Sequence, residues 1–270
     1  MRKIRFLAKL AALLLFTSLC AGSPIDVLIP STEKDLETLD LCIEHVKKNI
    51  QDVRRIIVIS KKRLTKKAEW HPEEDYPISF DEVREWLPES AAQRTGWYFQ
   101  QLLKIYAPDA IPNLSENFLC IDSDTFFFKK TGFISAKGKA LHTVGKNPHP
   151  PYFAHLHRLL PALKNVDESL SGIAHHMLFN KRILKQIRET VEEEHRLPFW
   201  QAFLACVDPL EARDSGASEY EIYFHYCREL CPQTTTRRLY WANVADLKRL
   251  DHFKAQGFHY VSCHSYKRKP

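Results

Sequence analysis

The sequence has little of what marks several classes of protein. With 8 glycines and 15 prolines in 270 residues, it contains no low-complexity stretch and no internal repeat. Its hydrophobic content of 44% excludes a disordered chain, a collagen-like repeat and a minimal disulfide-stapled peptide. No CxxC pair has a matching partner, so a zinc site is not expected. No Pro-, Gly- or Ser-rich linker divides the chain, and we therefore expect one domain.

The net charge is not a nucleic-acid signal. Lys and Arg (39) exceed Asp and Glu (33) by six, but four of the basic residues lie in the first 22 residues, which contain no acid. The rest of the chain is close to neutral and shows no clustered basic face. We therefore expect no nucleic-acid partner.

Residues 1–22 have the build of a secretory signal, with a basic start, an apolar stretch over 10–19 and small residues at 21–23. The apolar stretch is about half the roughly 20 residues that a membrane-spanning helix needs. We therefore expect a cleaved signal peptide at 1–22 and a folded domain at 23–270. The protein would then enter the secretory pathway and be exported, or be anchored to a membrane by an uncleaved segment; a cytoplasmic protein is the remaining alternative. Six cysteines follow residue 22, an even number that permits disulfides in an exported chain.

The domain opens with a strand–helix–strand pattern. Buried-type strands are predicted at 25–29 and 55–60, and the apolar spacing over 33–49 predicts a helix between them. Such a unit implies a parallel sheet with a right-handed crossover. Ligands bind beyond the carboxyl ends of the strands in open sheets of this kind. The residues that follow the first strand, Pro30, Ser31 and Thr32, are therefore candidate ligand residues.

The helix predicted over 93–106 has an unusual polar face. Pro108 is expected to end this helix. The face that does not carry the apolar stripe holds Arg94, Trp97, Gln101 and Lys104. An aromatic ring beside a cation and an amide favours a ligand-facing wall, and a plain amphipathic helix is the alternative. Further elements are predicted as a strand at 118–121, helices at 173–194, 198–207 and 218–230, and a closing strand at 258–266.

An acidic pair, Asp122 and Asp124, stands at the end of the strand predicted over 118–121. Side chains two positions apart in an extended chain point to the same side, so the two carboxylates should lie together. Burying unpaired charges is costly unless a cation compensates them. A hard divalent ion, Mn²⁺ or Mg²⁺, prefers carboxylate oxygens and can bridge to a diphosphate. The pair therefore predicts a metal site, and a turn of solvated or capping aspartates is the alternative.

This apolar strand, Asp122-x-Asp124 and the aromatic strand after it resemble the DxD site of GT-A-type glycosyltransferases. Four further blocks resemble a group of uncharacterised GT-A-like proteins: Gly96-Trp97-Tyr98-x-Gln100-Gln101-x-x-Lys104, Ser171-Gly172-Ile173-Ala174-His175-His176-Met177, Ser218-Glu219-Tyr220-Glu221 and His264. The resemblance implies an α/β fold, a GT-A-like Rossmann-type mixed sheet flanked by helices in a single domain. It also implies a hexosyltransferase-like enzyme with a nucleotide-sugar donor and a glycan, lipid or protein acceptor.

The resemblance implies roles for individual residues. A histidine near the C-terminus is expected to complete the metal shell of Asp122 and Asp124; we favour His264, and His259 is the alternative. The base and ribose of the donor are expected at residues 30–32. The remaining donor contacts are predicted from Arg94, Trp97, Gln101, Asp122 and Ser123.

The predicted catalytic pair is Glu219 and Asp124. Ser218 and Glu221 have the spacing of a capping box, which gives Glu221 a structural task and leaves Glu219 free to take a proton from the acceptor. An exposed glutamate at a helix start is the alternative. An acceptor pocket is predicted from His175, His176 and Trp200, although neighbours on a helix point about 100° apart, so only one of the two histidines should face it.

Two other functions compete with this interpretation. The first is an exported, non-catalytic binding protein on a degenerate transferase fold. The second is a haloacid-dehalogenase-like phosphotransferase, in which Asp122 would be the nucleophile. That family has a threonine two positions beyond the second aspartate, where this chain has Phe126. Turnover of a nucleotide-sugar separates the first alternative from a transferase, and phosphorylation of Asp122 would identify the second.

Overall fold

The computed structural model describes residues 24–145 and 148–267, so the predicted signal or anchor at 1–22 lies outside the described residues. Within these ranges the strands are β1 (Ile25–Pro30), β2 (Val53–Ser60), β3 (Glu69–Pro72), β4 (Asn117–Ile121), β5 (Thr125–Phe127), β6 (Ala140–Thr143), β7 (His176–Asn180), β8 (Thr234–Arg237), β9 (Trp241–Asn243) and β10 (Tyr260–Ser262). The α-helices are α1 (Leu36–Asn49), α2 (Phe80–Trp86), α3 (Thr95–Ala110), α4 (Pro150–Leu159), α5 (Lys181–His195), α6 (Phe199–Ala205), α7 (Glu219–Leu230) and α8 (Leu250–Ala255).

The central sheet has the strand order β3-β2-β1-β4-β7. Its first four strands are parallel, and β7 runs antiparallel to β4 at the edge. Alternate residues of β1 enter two cores: Leu28 packs with Leu102 of α3 on one face, and Val27 packs with Ile43 of α1 on the other. The predicted α/β fold, a Rossmann-type mixed sheet flanked by helices that begins with a strand–helix–strand unit, is confirmed.

The helix predicted over 173–194 is wrong in its first part. Residues 176–180 form β7, and α5 begins only after Asn180, whose side chain accepts hydrogen bonds from the backbone N–H groups of Arg182 and Ile183 at 3.0 and 3.2 Å. A short apolar run suits a buried strand as well as a helix. Pairing with β4 and the Asn180 cap decide the boundary, and neither can be recognised from periodicity.

The helix predicted to end before Pro108 continues through it as α3. Proline removes the hydrogen bond to the carbonyl of Lys104, but a loss in the last turn is tolerated and the helix ends at Ala110. The closing strand is shorter than predicted: β10 covers Tyr260–Ser262 and lies between β5 and β9 in a small three-stranded sheet.

The six cysteines after residue 22 are buried free thiols in the structure, so none of them forms a disulfide there. None of the helices in the described ranges is both long enough and apolar enough to cross a bilayer.

Candidate active site

Residues 122–125, the acidic turn, lie at the carboxyl end of β4. The Asp122 carbonyl accepts a hydrogen bond from the Thr125 N–H (3.0 Å), which closes the turn between β4 and β5. The Asp122 N–H donates to the carbonyl of His175 (3.0 Å), just before β7. The turn is therefore fixed by the two strands that flank it and by the edge strand.

Three side chains donate hydrogen bonds to the carboxylate of Asp122. Lys104 Nζ (3.0 Å) and the Tyr220 hydroxyl (3.1 Å) reach Oδ1, and His175 Nδ1 lies 3.3 Å from Oδ2, where it acts as the donor because a carboxylate only accepts. Burial by itself would raise the pKa of Asp122, but the Lys104 ammonium and the His175 hydrogen bond outweigh it. Together they hold the pKa of this carboxyl well below its usual range.

Lys104 is a buried cation that the sequence placed on a ligand-facing wall. It is 1% exposed, and its ammonium donates to Asp122, to Glu219 Oε1 (2.7 Å) and to the Tyr220 hydroxyl (2.9 Å). Burial opposes the charge, yet the two carboxylates raise the pKa of Lys104 well above its ordinary value. One sequence signal indicates this ion pair: Lys104 lies inside the apolar run 102–106, and a lysine that is buried there needs an acidic partner.

Asp124 is tied to the C-terminal part of the chain. Its Oδ1 accepts from the Ser262 hydroxyl (2.9 Å), and its Oδ2 accepts from His264 Nδ1 (3.1 Å). The His264 and His175 rings lie 4.7 Å apart between centroids, so the two aspartate–histidine pairs are adjacent. The alternative histidine, His259, accepts instead from the backbone N–H of Tyr240 (3.1 Å) and does not reach the acidic turn.

Glu219 does not lie free at the sheet edge, which corrects the sequence interpretation. It is 4% exposed and paired with Lys104. Burial raises the pKa of Glu219 above its ordinary value, and Lys104 offsets this only in part. Half of the predicted capping box is present on the same helix: the Ser218 hydroxyl accepts from the N–H of Glu221 (3.3 Å), whereas the Glu221 carboxylate binds Ser171 and Gly172.

Gln101 has a structural task in place of the predicted donor contact. It is 1% exposed; its Nε2 donates to the Trp97 carbonyl (3.2 Å), and its Oε1 accepts from the Glu219 N–H (3.0 Å). Both ends of the amide are therefore used inside the protein, and Gln101 positions the start of α7. On the same wall the Arg94 guanidinium stacks over the Trp97 ring, 4.4 Å from its centroid.

The residues after β1 line the same edge of the sheet. The Ser31 N–H donates to the Ile59 carbonyl (2.9 Å), and the Ser31 hydroxyl is buried with no hydrogen-bond partner among the described residues. Thr32 is exposed and caps the next turn with Asp35. A groove of about 530 Å³ also lies on this side but holds none of the predicted donor residues; it is lined by Leu36, Leu39, Asp40, Arg63, Leu64, Thr65, Lys66 and Lys67.

The predicted acceptor residues separate in the structure. His175 lies beside Asp122, whereas His176 is 2% exposed in β7 and shares a hydrogen bond with the Thr143 hydroxyl (2.9 Å). Trp200 packs against Trp86, with ring centroids 5.5 Å apart, and the backbone N–H of Trp200 donates to the hydroxyl of Tyr106 (3.3 Å). Neither contact of Trp200 belongs to the acidic turn, so the predicted acceptor platform is not brought to the site.

The site holds more carboxylates than lysines. Asp122, Asp124 and Glu219 supply three carboxylates, whereas the Lys104 ammonium pairs with Asp122 and Glu219, and Asp124 pairs with His264. Within the ranges that the structure describes, no three His, Cys, Asp or Glu side chains form a metal-binding group. The donors come instead as two adjacent carboxylate–imidazole pairs, and oxygen and imidazole ligands of this kind suit Mn²⁺. The side chains present therefore match a divalent ion in ligand chemistry.

The sheet order, its antiparallel edge strand and the helices on both faces make this a Rossmann-type mixed α/β fold. The chain belongs to a family of unknown function, DUF6492, whose family model matches residues 24–258. A search among curated proteins finds no match. Among solved structures, the chain is similar to the apo form of mouse xyloside xylosyltransferase 1, with 10% sequence identity and a TM-score of 0.44. That similarity covers 92% of this chain and 100% of the mouse chain.

Proposed function

We propose that the protein is a metal-dependent glycosyltransferase that moves a sugar from a nucleotide-diphosphate sugar to a glycan, lipid or protein acceptor. The observation that carries the proposal is the meeting of Asp122, Asp124, His175 and His264 at the carboxyl end of β4. This is the edge at which open α/β sheets bind ligands. The resemblance of the acidic turn to a DxD site supports the same activity.

Asp124 and His264 would hold the metal, Mn²⁺ or Mg²⁺, with Asp122 beside them. When bound, the ion supplies positive charge to the diphosphate leaving group. Lys104 pairs with Asp122 and Glu219 and not with Asp124, so Asp124 is the carboxylate that a divalent cation would compensate. Because Lys104 and His175 keep Asp122 ionised, the acidic turn keeps its negative charge in mildly acidic buffer.

The donor contacts of the proposal lie around this turn. The base and ribose of the nucleotide would bind at Pro30, Ser31 and Thr32, where the Ser31 hydroxyl is unpartnered. Arg94, Trp97 and Ser123 complete the proposed donor residues: the stacked Arg94 guanidinium supplies a cation on the wall, and Ser123 lies between the two aspartates.

Glu219 is the proposed proton acceptor for the acceptor hydroxyl. Burial raises its pKa, which makes the carboxylate a stronger base than an exposed glutamate. Its contact with Lys104 fixes one carboxylate oxygen and so orients the other. Substituting Glu219→Gln should lower kcat while leaving donor binding nearly unchanged.

The metal-dependent step is tested with Asp124→Asn. Asparagine keeps the size of the side chain and can accept from Ser262, so folding should be preserved while the charge is lost. We expect the binding heat of a nucleoside diphosphate (UDP and GDP, each with Mn²⁺) to disappear in calorimetry, with the melting temperature unchanged or raised. Unchanged heat in the variant would contradict the assignment of Asp124, and a thermal-shift screen of nucleotide-sugars with and without Mn²⁺ identifies the donor.

A non-catalytic binding protein is the second candidate, and one observation favours it. Both oxygens of Asp122 already accept hydrogen bonds from protein side chains. Such a site could bind a nucleotide-sugar without turning it over. Metal-dependent binding without hydrolysis or transfer of the sugar would identify this second function.

The proposal places the protein in the secretory pathway through residues 1–22. The compartment must then contain nucleotide-sugars, or the anchored domain must face the cytosol. N-terminal sequencing of the protein from its native membrane and soluble fractions distinguishes a cleaved signal, which gives a chain starting near Ser23, from an anchor that is retained.

A further inference from the structure

Residues 170–175 lead into β7 and present His175 to the acidic turn. His175 has φ of 60°, a left-handed conformation that is uncommon for residues other than glycine. Its carbonyl and its Nδ1 both contact Asp122, and its Nε2 is buried with no hydrogen-bond partner among the described residues. A strained backbone beside a candidate active site persists only when the surroundings hold it there.

The carboxylate of Glu221 holds this segment. Its Oε2 accepts from the Ser171 hydroxyl (2.9 Å) and from the backbone N–H of Gly172 (3.0 Å). The Ser171 hydroxyl in turn accepts from the N–H of Ile173 (3.1 Å). Ser171 and Glu221 are both 0% exposed, so water does not compete for these bonds.

The other carboxylate oxygen of Glu221, Oε1, also accepts a hydrogen bond. Oε1 accepts from His225 Nε2 (3.1 Å), one turn further along α7, and the same nitrogen also lies 3.2 Å from the Leu170 carbonyl. Oε2 of Glu221 therefore fastens residues 171 and 172 to α7, whereas Oε1 is held by His225 of the same helix, and His225 is the residue that reaches Leu170. The capping role that the sequence gave to Glu221 accounts for its backbone N–H and not for its carboxylate.

Gly172 shows how closely the segment lies on α7. A Cβ atom at this position would be 2.4 Å from the Cβ of Phe224 and 2.8 Å from the carbonyl of Tyr220. The same helix carries the Tyr220 hydroxyl, which donates to Asp122. Helix α7 therefore positions two partners of Asp122. It carries Tyr220 itself, and it holds the segment that ends at His175.

We infer that Glu221 is a positioning residue, which keeps the His175 imidazole between Asp122 and His264 so that it contributes to binding a metal-bound nucleoside diphosphate. This inference rests on the proposed function for its ligand and on the hydrogen bonds of Glu221 for its geometry. It assigns to Glu221 no contact with the ligand.

The test is a double-mutant cycle on the full chain, with Mn²⁺ plus UDP and Mn²⁺ plus GDP as probes. Glu221→Gln keeps the volume but loses the charge, and His175→Asn removes the imidazole with a residue that tolerates the left-handed conformation. We expect each single change to weaken binding about tenfold, as loss of an orienting partner commonly does. We expect the double variant to bind no more weakly than His175→Asn alone, because Glu221 acts through His175.

Hydrogen exchange gives a readout that does not depend on the ligand. In Glu221→Gln, the amides of residues 170–176, and that of Gly172 above all, should exchange faster than in the wild type. The matched control is Val191→Ala in α5, a fully buried truncation that lowers stability and removes none of the hydrogen bonds of Glu221. This control should leave the binding of the probes unchanged, and it should speed the exchange of residues 170–176 by no more than its loss of global stability accounts for.

Three results would overturn the inference: wild-type binding by Glu221→Gln, additive losses in the cycle, or unchanged exchange at Gly172. If the wild-type protein binds neither probe with Mn²⁺, the proposed function fails. The exchange measurement then decides by itself whether Glu221 holds the segment.

Discussion

Lys104 changes the account of the acidic turn at the scale of single residues. The sequence led us to expect that a metal ion compensates both aspartates. In the structure the buried ammonium of Lys104 compensates the charge of Asp122, and it also binds Glu219. The unbalanced carboxylate of the turn is therefore Asp124.

Replacing this cation should destabilise the protein. Lys104→Met leaves the buried Glu219 and the partly exposed Asp122 without their counter-charge, and breaking a buried pair such as Lys104–Glu219 costs about 3–5 kcal/mol. Chemical denaturation at pH 7 measures the loss.

Adding Glu219→Gln to Lys104→Met removes one of the stranded charges and should recover part of that stability. A Lys104→Met protein as stable as the wild type would show that the ammonium is not needed to compensate the carboxylates.

Part of the site could be predicted from the sequence. The pair Asp122 and Asp124 was recognisable because it follows an apolar strand, and His264, which contacts Asp124, was expected from the resemblance to GT-A-type enzymes. Lys104 and Glu219 are 115 positions apart, and neither has a neighbour in sequence that reveals the pair. Their contact depends on how α3 and α7 pack, which the periodicity of each helix does not specify.

At the scale of elements, the strands and helices with strong periodicity were predicted, and those defined by pairing were not. β1, β2, β4, α1 and α7 follow the apolar pattern of the sequence closely. The apolar pattern predicts helix at residues 176–180. These residues form strand β7 because they pair antiparallel with β4, and the pattern does not reveal that pairing. The short strands β8 and β9 carry no alternating pattern long enough to detect.

The start of β1 offers an element-scale prediction. Asp26 is 0% exposed, and its carboxylate accepts from Arg54 Nε (2.8 Å), from Arg55 Nε (3.2 Å) and from the Ser115 N–H (2.9 Å). Burial would raise the pKa of Asp26, but these donors lower it below its ordinary value. The stability that it contributes is therefore present above the unfolded pKa of about 4 and is lost as the pH falls further.

Asp26→Asn should therefore cost about 2–3 kcal/mol at pH 7, the value of a buried, charge-assisted hydrogen-bond network. Urea unfolding of both proteins between pH 7 and pH 3 should show the difference shrinking below about pH 4. A difference that is constant over this range would mean that the ionised carboxylate is not what joins β1 and β2.

The whole molecule should be sensitive to mild acid because it buries uncharged histidines. Burial lowers the pKa of His142 and of His155 to about 4, and it lowers that of His176 well below its ordinary value. In the unfolded chain these histidines bind protons as the pH falls through about 6.5, whereas in the folded chain they stay uncharged until the pH is much lower. The free energy of unfolding should therefore fall as the pH drops from about 6.5 to about 4.

His142→Phe tests this sign. His142 is 2% exposed and packs against the rings of Tyr223 and Phe224, so a phenyl ring keeps these aromatic contacts and loses the hydrogen bond with the Leu178 backbone. Removing the His142 imidazole should reduce the acid-induced loss of stability by up to about 3 kcal/mol, because each unit by which burial lowers its pKa costs about 1.4 kcal/mol at low pH. Denaturant midpoints at pH 4.5 and pH 7 give the comparison, and an unchanged pH slope in the variant would contradict it.

The two ends of the parallel strands differ in how close they lie to the acidic turn, and this affects how the protein should be prepared. Ile25 starts β1 at the amino ends of the strands, whereas Asp124 and its partner His264 lie at the carboxyl ends. A polyhistidine purification tag joined soon after His264 would start beside the acidic turn and compete for Mn²⁺. A tag joined just before Ile25 would start at the opposite ends of the strands and leave the metal titrations undisturbed.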